Sequence, residues 1–200
     1  VGGERLISFS RGLYELIQVA KEMFLMKTLI IVTHPHLKSS VVNKRWIEEL
    51  KKYPELYTVH ELHTAYPDGT IDVEREQKLV ESHGNLVFQF PILWSNCPYM
   101  LKKWLDDVLT REWAYGLDSV GKLAGRKVAL AVTAVIKEDY SEKAPYFCTL
   151  QQLLAPFEIT FRCIDADYRS FFALYGAEHE LSADIVEQSS KCYIDFLNQL

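Results

Sequence analysis

Three runs of the 200-residue chain, KTLIIVT at 27–33, NLVFQF at 85–90 and KVALAVTAV at 127–135, are apolar almost without interruption for the length of a strand. A strand with one wet face alternates, whereas a continuous run rich in β-branched residues belongs to a strand covered on both faces. Such strands lie in parallel sheets, where each connection must cross over the sheet, usually as a helix. The intervening stretches meet that demand. Val42, Trp46, Ile47 and Leu50 share one helical face, and Val73–Glu81 reads as a second helix. Met100, Leu101, Trp104, Leu105, Val108 and Leu109 make a third apolar face, with Lys102, Lys103, Asp106 and Asp107 toward water and Pro98 at a first turn that needs no N–H there. A helix over about 149–165 is expected to break or restart at Pro156. Ser182–Asn198 closes the chain as a helix capped by Ser182. Shorter strands fall at Tyr57–Leu62 and Tyr168–Leu174, and TAYPDGTID at 64–72 reads as a turn region.

Five strands alternating with helices predict an α/β three-layer sandwich around a parallel sheet of flavodoxin-like order 2-1-3-4-5. In that order a ligand lies outside the carboxyl ends of the strands, at the switch between strands 1 and 3. The loops leaving those two strands are HPHLKSS (34–40) and PILWSNCP (91–98). The first enters a helix N-terminus, where unpaired amides and the helix dipole favour an anion. Ser39, Ser40 and the neighbouring amides of Val41, Val42 and Asn43 are therefore candidates to hold a phosphate, with His34 as a further donor. A plain serine cap beside a loop histidine is the structural alternative. Neither G-x-x-x-x-G-K-[ST] nor G-x-G-x-x-G occurs, so a nucleoside triphosphate or Rossmann-type binding mode is not expected. H-E-L-H at 60–63 lies on a strand without further ligands, and no metal is expected.

A formal net charge of −5 and no long basic run argue against a nucleic-acid partner, because neutralising phosphates needs clustered Lys and Arg. The four cysteines are far apart and form no C-x-x-C pair, as expected of reduced intracellular thiols. No apolar run reaches the roughly 20 residues of a membrane span. The expectation is a soluble cytoplasmic protein. Residues 1–25 could form an amphipathic helix through Leu13, Leu16, Ile17, Ala20 and Phe24 but lack the features of a secretory signal. They read as upstream sequence or an extra helix, with one domain over 26–200.

Longer motifs narrow the reading. A strand followed by H-P, a short linker and S-x-x-N-[KR] is matched by His34, Pro35, Ser40, Asn43 and Lys44. Q-[FH]-P-x-x-W-x-x-x-P-x-x-[LM]-K-x-W-[IL]-D is matched from Gln89 to Asp106, and W-A-Y-G stands at 113–116. From Met26 onward the chain resembles the NAD(P)H:quinone oxidoreductases of the DT-diaphorase family. The resemblance is strongest to the short bacterial branch that includes the Kef-type potassium-efflux ancillary flavoproteins.

That resemblance implies a flavin cofactor (FMN, with FAD as the alternative), NAD(P)H as reductant and two hydride transfers ending on a quinone or related acceptor. It lays Ile92, Leu93, Trp94 and Ser95 along the flavin ring. It places Trp113 and Tyr115 in the same pocket or at the interface of a homodimer. Thr133, Ala134, Val135 and Ile136 stand where the family has T-T-G-G, and Tyr140 stands near its proton-donating tyrosine. The lost glycines imply a rerouted loop, weaker flavin binding and slower reduction, since β-branched residues avoid positive φ. Two alternatives stay open: a flavin-binding regulatory subunit docked peripherally on the inner face of a membrane at a potassium-efflux transporter, and a degenerate member with weak flavin binding.

Overall fold

The computed structural model describes residues 27–116, 120–135, 148–177 and 181–200. The expected helix within residues 1–25 lies outside them. Five strands, β1 (Thr28–Val32), β2 (Tyr57–Glu61), β3 (Asn85–Pro91), β4 (Lys127–Ala134) and β5 (Asp167–Tyr175), form one parallel sheet of order β2-β1-β3-β4-β5. This is the order expected from the alternation of apolar runs and helices.

Every second residue of the central strands points to the same face. Leu29, Ile31, Leu86, Phe88, Phe90, Val128, Leu130 and Val132 share one core, while Ile30, Val32, Val87, Ala129 and Ala131 share the other. Both faces are apolar because helices cover both. The second core is closed by α1 (Val41–Leu50) and α6 (Ala183–Leu197). The Trp46 ring lies 4.9 Å from that of Tyr193 and its indole N–H donates to Ser189 Oγ at 2.9 Å. The first core is closed by α3 (Val73–Glu81), α4 (Tyr99–Val108) and α5 (Leu150–Cys163), with Phe88 against Trp104 and Phe161 at 5.4 and 5.2 Å.

Two local expectations change. Part of the 64–72 turn region belongs to a four-residue helix, α2 (Leu62–Ala65), whose buried Leu62 anchors it to the core. Also, α5 runs unbroken through Pro156. A proline inside a helix costs about 3 kcal/mol, but α5 buries Leu150, Leu154, Phe157 and Phe161, each contributing about 1.5–3 kcal/mol. A capping box between Thr149 and Gln152 fixes its start, so packing wins over propensity.

Candidate functional site

The carboxyl ends of β1, β3 and β4 open onto a cavity of about 300 Å³. Its first wall is the segment from β1 to α1. Val32 passes through Thr33 to His34, whose Nδ1 accepts the His36 backbone N–H at 3.1 Å. Leu37–Ser39 make one 3₁₀ turn, and Ser40 caps α1, its Oγ accepting from the Asn43 N–H at 3.2 Å. The chain thus presents the first-turn amides of Val41 and Val42, which no carbonyl of the helix can reach. The opposite walls are Pro91, Ile92 and Leu93 after β3, Thr133, Ala134 and Val135 at the end of β4, and Ala177 after β5. The walls are stitched together by Ile92 N–H to the Thr133 carbonyl at 2.8 Å and Ala177 N–H to the Ala134 carbonyl at 3.0 Å.

Beneath the cavity lies a buried polar cluster. Gln89 donates to Asn43, and Asn43 Nδ2 donates to Thr133 Oγ1 at 3.1 Å. Burial, then the neighbouring His36 and His63, lowers the His34 pKa below its ordinary 6.5, so its imidazole is neutral at pH 7. With Nδ1 accepting, its proton sits on Nε2, and His34 acts as a donor. No carboxylate lines the cavity among the described residues.

Of the residues expected at the site, His34, Ser40, Val41, Val42, Asn43, Ile92, Leu93, Thr133, Ala134 and Val135 line this one cavity. Ile136 and Tyr140 lie outside the described residues. Trp94 and Ser95 stand outside the lining of this cavity. They occupy the two central positions of a tight turn closed by Leu93 and Asn96 at 2.8 and 2.9 Å, with φ of 47° and 61°. That primed-turn geometry carries them past the cavity, and the Trp94 side chain is fully exposed. Trp94 instead borders a second, apolar cavity of about 510 Å³ with Cys97, Pro98, Tyr99, Pro156 and Phe157, and Leu93 borders both.

Trp113 also stands outside that lining. Its indole donates to Glu81 at 2.7 Å, at the end of α3 that feeds the amino end of β3, so within one chain it stands at the opposite edge of the sheet from the cavity. The H-E-L-H pair is also divided: His60 donates to the buried Glu76 at 2.8 Å, while the His63 ring packs edge-on to Tyr99. His36 and Ala177 line the cavity without having been singled out. Ala177 follows from the rule that strand ends frame the site, whereas His36 carries no signal beyond its place in the loop.

A family model described as flavodoxin-like fold matches residues 26–197. The NAD(P)H oxidoreductase YrkL of Bacillus subtilis is 43% identical over 173 residues, 86% of this chain and 98% of that protein. The glutathione-regulated potassium-efflux system ancillary protein KefG of Pectobacterium carotovorum is 32% identical over 172 residues, 86% of this chain and 92% of that one. The crystal structure of general stress protein 14 from Treponema denticola in complex with FMN superposes with a TM-score of 0.82 at 44% identity, covering 86% of this chain and 98% of that one.

Proposed function

The chain belongs to the family of flavodoxin-like fold whose model spans residues 26–197, and from that premise we propose a flavoenzyme that oxidises NAD(P)H and delivers the electrons through FMN to a quinone or related acceptor. The observation that carries this reading is the cavity at the strand switch, whose two ends differ in chemistry. At one end the Ser40 cap and the free amides of α1 suit a phosphate monoester. At the other, Ile92, Leu93, Ala134 and Val135 suit an apolar ring edge, and no lining carboxylate opposes the phosphate. FMN bound there would supply two-electron chemistry linking NAD(P)H oxidation to reduction of the acceptor. The protein binds, orients and excludes water. His34 donates at the phosphate end, and Pro91 stiffens the wall after β3. Val135 holds a place where the family pattern has glycine, so binding is weaker and turnover slower than in glycine-bearing relatives.

The acceptor reading draws on the family resemblance and on the apolar cavity beyond Leu93. The same surface supports a homodimer: fully exposed Trp94 and largely exposed Tyr99 are apolar area that a second protomer would cover. KefG-type relatives favour a second reading, a flavin-binding subunit docked on a transporter at the cytoplasmic membrane face. No helix among the described residues is long and apolar enough to cross a membrane.

Titrating apoprotein with FMN and with FAD, then following NAD(P)H oxidation with a quinone present, tests the main reading. FMN binding followed by quinone-dependent oxidation is expected, and failure to bind either flavin overturns it. Activity that appears only on co-sedimentation with transporter-bearing membranes would favour the second reading.

A further inference from the structure

Gln89 lies on β3, two residues before the cavity, wholly buried and outside the lining. Both protons of its Nε2 are used on Asn43, one on the backbone carbonyl and one on Oδ1, each at 3.2 Å. Asn43 Nδ2 passes the connection to Thr133 Oγ1 at 3.1 Å, and the Asn43 backbone N–H reaches Ser40 Oγ at 3.2 Å. The Thr133 carbonyl in turn accepts from Ile92 N–H at 2.8 Å. One buried chain of hydrogen bonds therefore joins the phosphate end of the cavity, at Ser40, to both walls of its ring end.

A glutamine here carries a cost as well as a gain. Its two ordinary hydrogen bonds are offset by Oε1, which is buried with no partner among the described residues, and an orphaned acceptor loses the full cost of its desolvation. An apolar side chain of the same length would remove that orphan but strand the buried Asn43 Oδ1, which accepts from Gln89. What the amide also provides is a fixed spacing between two recognition surfaces. A ligand with a phosphate and a ring on one tether gains from both only where the spacing matches its length.

We propose that Gln89 is a positioning residue that acts through Asn43, setting the distance between the α1 amides and the β3 and β4 walls so that the phosphate and the ring are bound together. The inference rests on the FMN reading, and it concerns the relative affinity for FMN and riboflavin, which share the ring and differ in the phosphate.

Fluorescence titration of apoprotein with each flavin tests it, with Q89M as the variant that keeps length and volume. Q89M should bind FMN about tenfold more weakly while riboflavin affinity stays within about twofold, so the preference for FMN collapses. A packing role would weaken both flavins alike or neither, and an unchanged preference in folded Q89M overturns the proposal. Thr133→Val cuts the same link at its far end, whereas Thr133→Ser retains the hydroxyl. If Q89M does not fold, loss of the preference in T133V with retention in T133S supports the link, and retention in both overturns it. Wild-type protein that binds FMN no more tightly than riboflavin would refute the phosphate assignment itself, a failure distinct from that of Gln89.

Discussion

Glu76 is a carboxylate with no solvent exposure, and three donors from three segments converge on it. His60 Nε2 and the Tyr66 hydroxyl reach Oε1 at 2.8 and 2.7 Å, and Trp104 Nε1 reaches Oε2 at 2.7 Å. Burial alone would raise its pKa, but these donors hold it below the ordinary 4.5, so the group stays ionised in the core. Glu76→Leu would strand all three donors in apolar surroundings. Breaking a buried charged cluster from one side costs about 3–5 kcal/mol, which for a chain of this size lowers Tm by about 6–20 °C. A thermal melt within 2 °C of wild type (roughly the shift for half a kcal/mol or more) would contradict the assignment. Nothing in the sequence marks Glu76. Spacing put Trp104 on the buried face of its helix, but the partner of its indole comes from another helix, and the histidine and tyrosine that complete the cluster come from β2 and the turn after α2. The residues of α1 that line the cavity were legible for the opposite reason: Ser40, Val41, Val42 and Asn43 form a contiguous cap-and-first-turn signal, and the fold rule says where it must lie.

At the scale of elements, the turn Leu93–Asn96 is the least relaxed piece of backbone beside the site. Trp94 and Ser95 both hold positive φ without being glycine, and a side chain in that region costs about 1–2 kcal/mol. Ser95→Gly relieves part of this, offset by the greater freedom glycine has in the unfolded chain. A gain of about 0.5–1 kcal/mol in urea unfolding is expected, with FMN affinity unchanged because Ser95 does not line the cavity. Destabilisation would mean that the hydroxyl makes a contact worth more than the strain. The two prolines flanking this loop were legible as rigid ends, but the handedness of the turn between them was not. Trp94-Ser95 has none of the glycine that usually announces a primed turn. Pro156 misled: local chemistry argued for a break, and the four side chains that α5 buries overrode it.

At the scale of the whole molecule, buried and half-buried histidines set the response to acid. His34, His63 and His83 all have pKa values lowered from 6.5, burial being the largest cause for each. The unfolded chain therefore takes up these protons first as pH falls, and folded stability declines once pH drops below about 6.5. Glu49 and Glu76 are lowered from 4.5, Glu49 chiefly by hydrogen bonds from Lys52 and Arg45, so a second loss of the same sign begins as pH falls below that value. Melting at pH 7.5, 6, 5 and 4 should give a steadily falling Tm, and a Tm constant from pH 7.5 to 5 would contradict the lowered histidine pKa values. The sheet order and the site's place at its carboxyl edge were readable from periodicity because both faces of the sheet had to be covered. The hydrogen bond that holds Trp113 to Glu81 was not, because it joins segments 32 residues apart.

The most direct measurement for the whole account is the affinity of Ser40→Asp for FMN and for riboflavin. Aspartate keeps the helix cap, so the fold is preserved, while its charge faces the phosphate. Like charges about 4 Å apart repel by about 4 kcal/mol at the effective dielectric of a protein surface. FMN affinity should therefore fall at least about a hundredfold, with riboflavin affinity nearly unchanged. Equal FMN binding by the variant and the wild type would contradict the account, because the phosphate could not then lie at the N-terminus of α1.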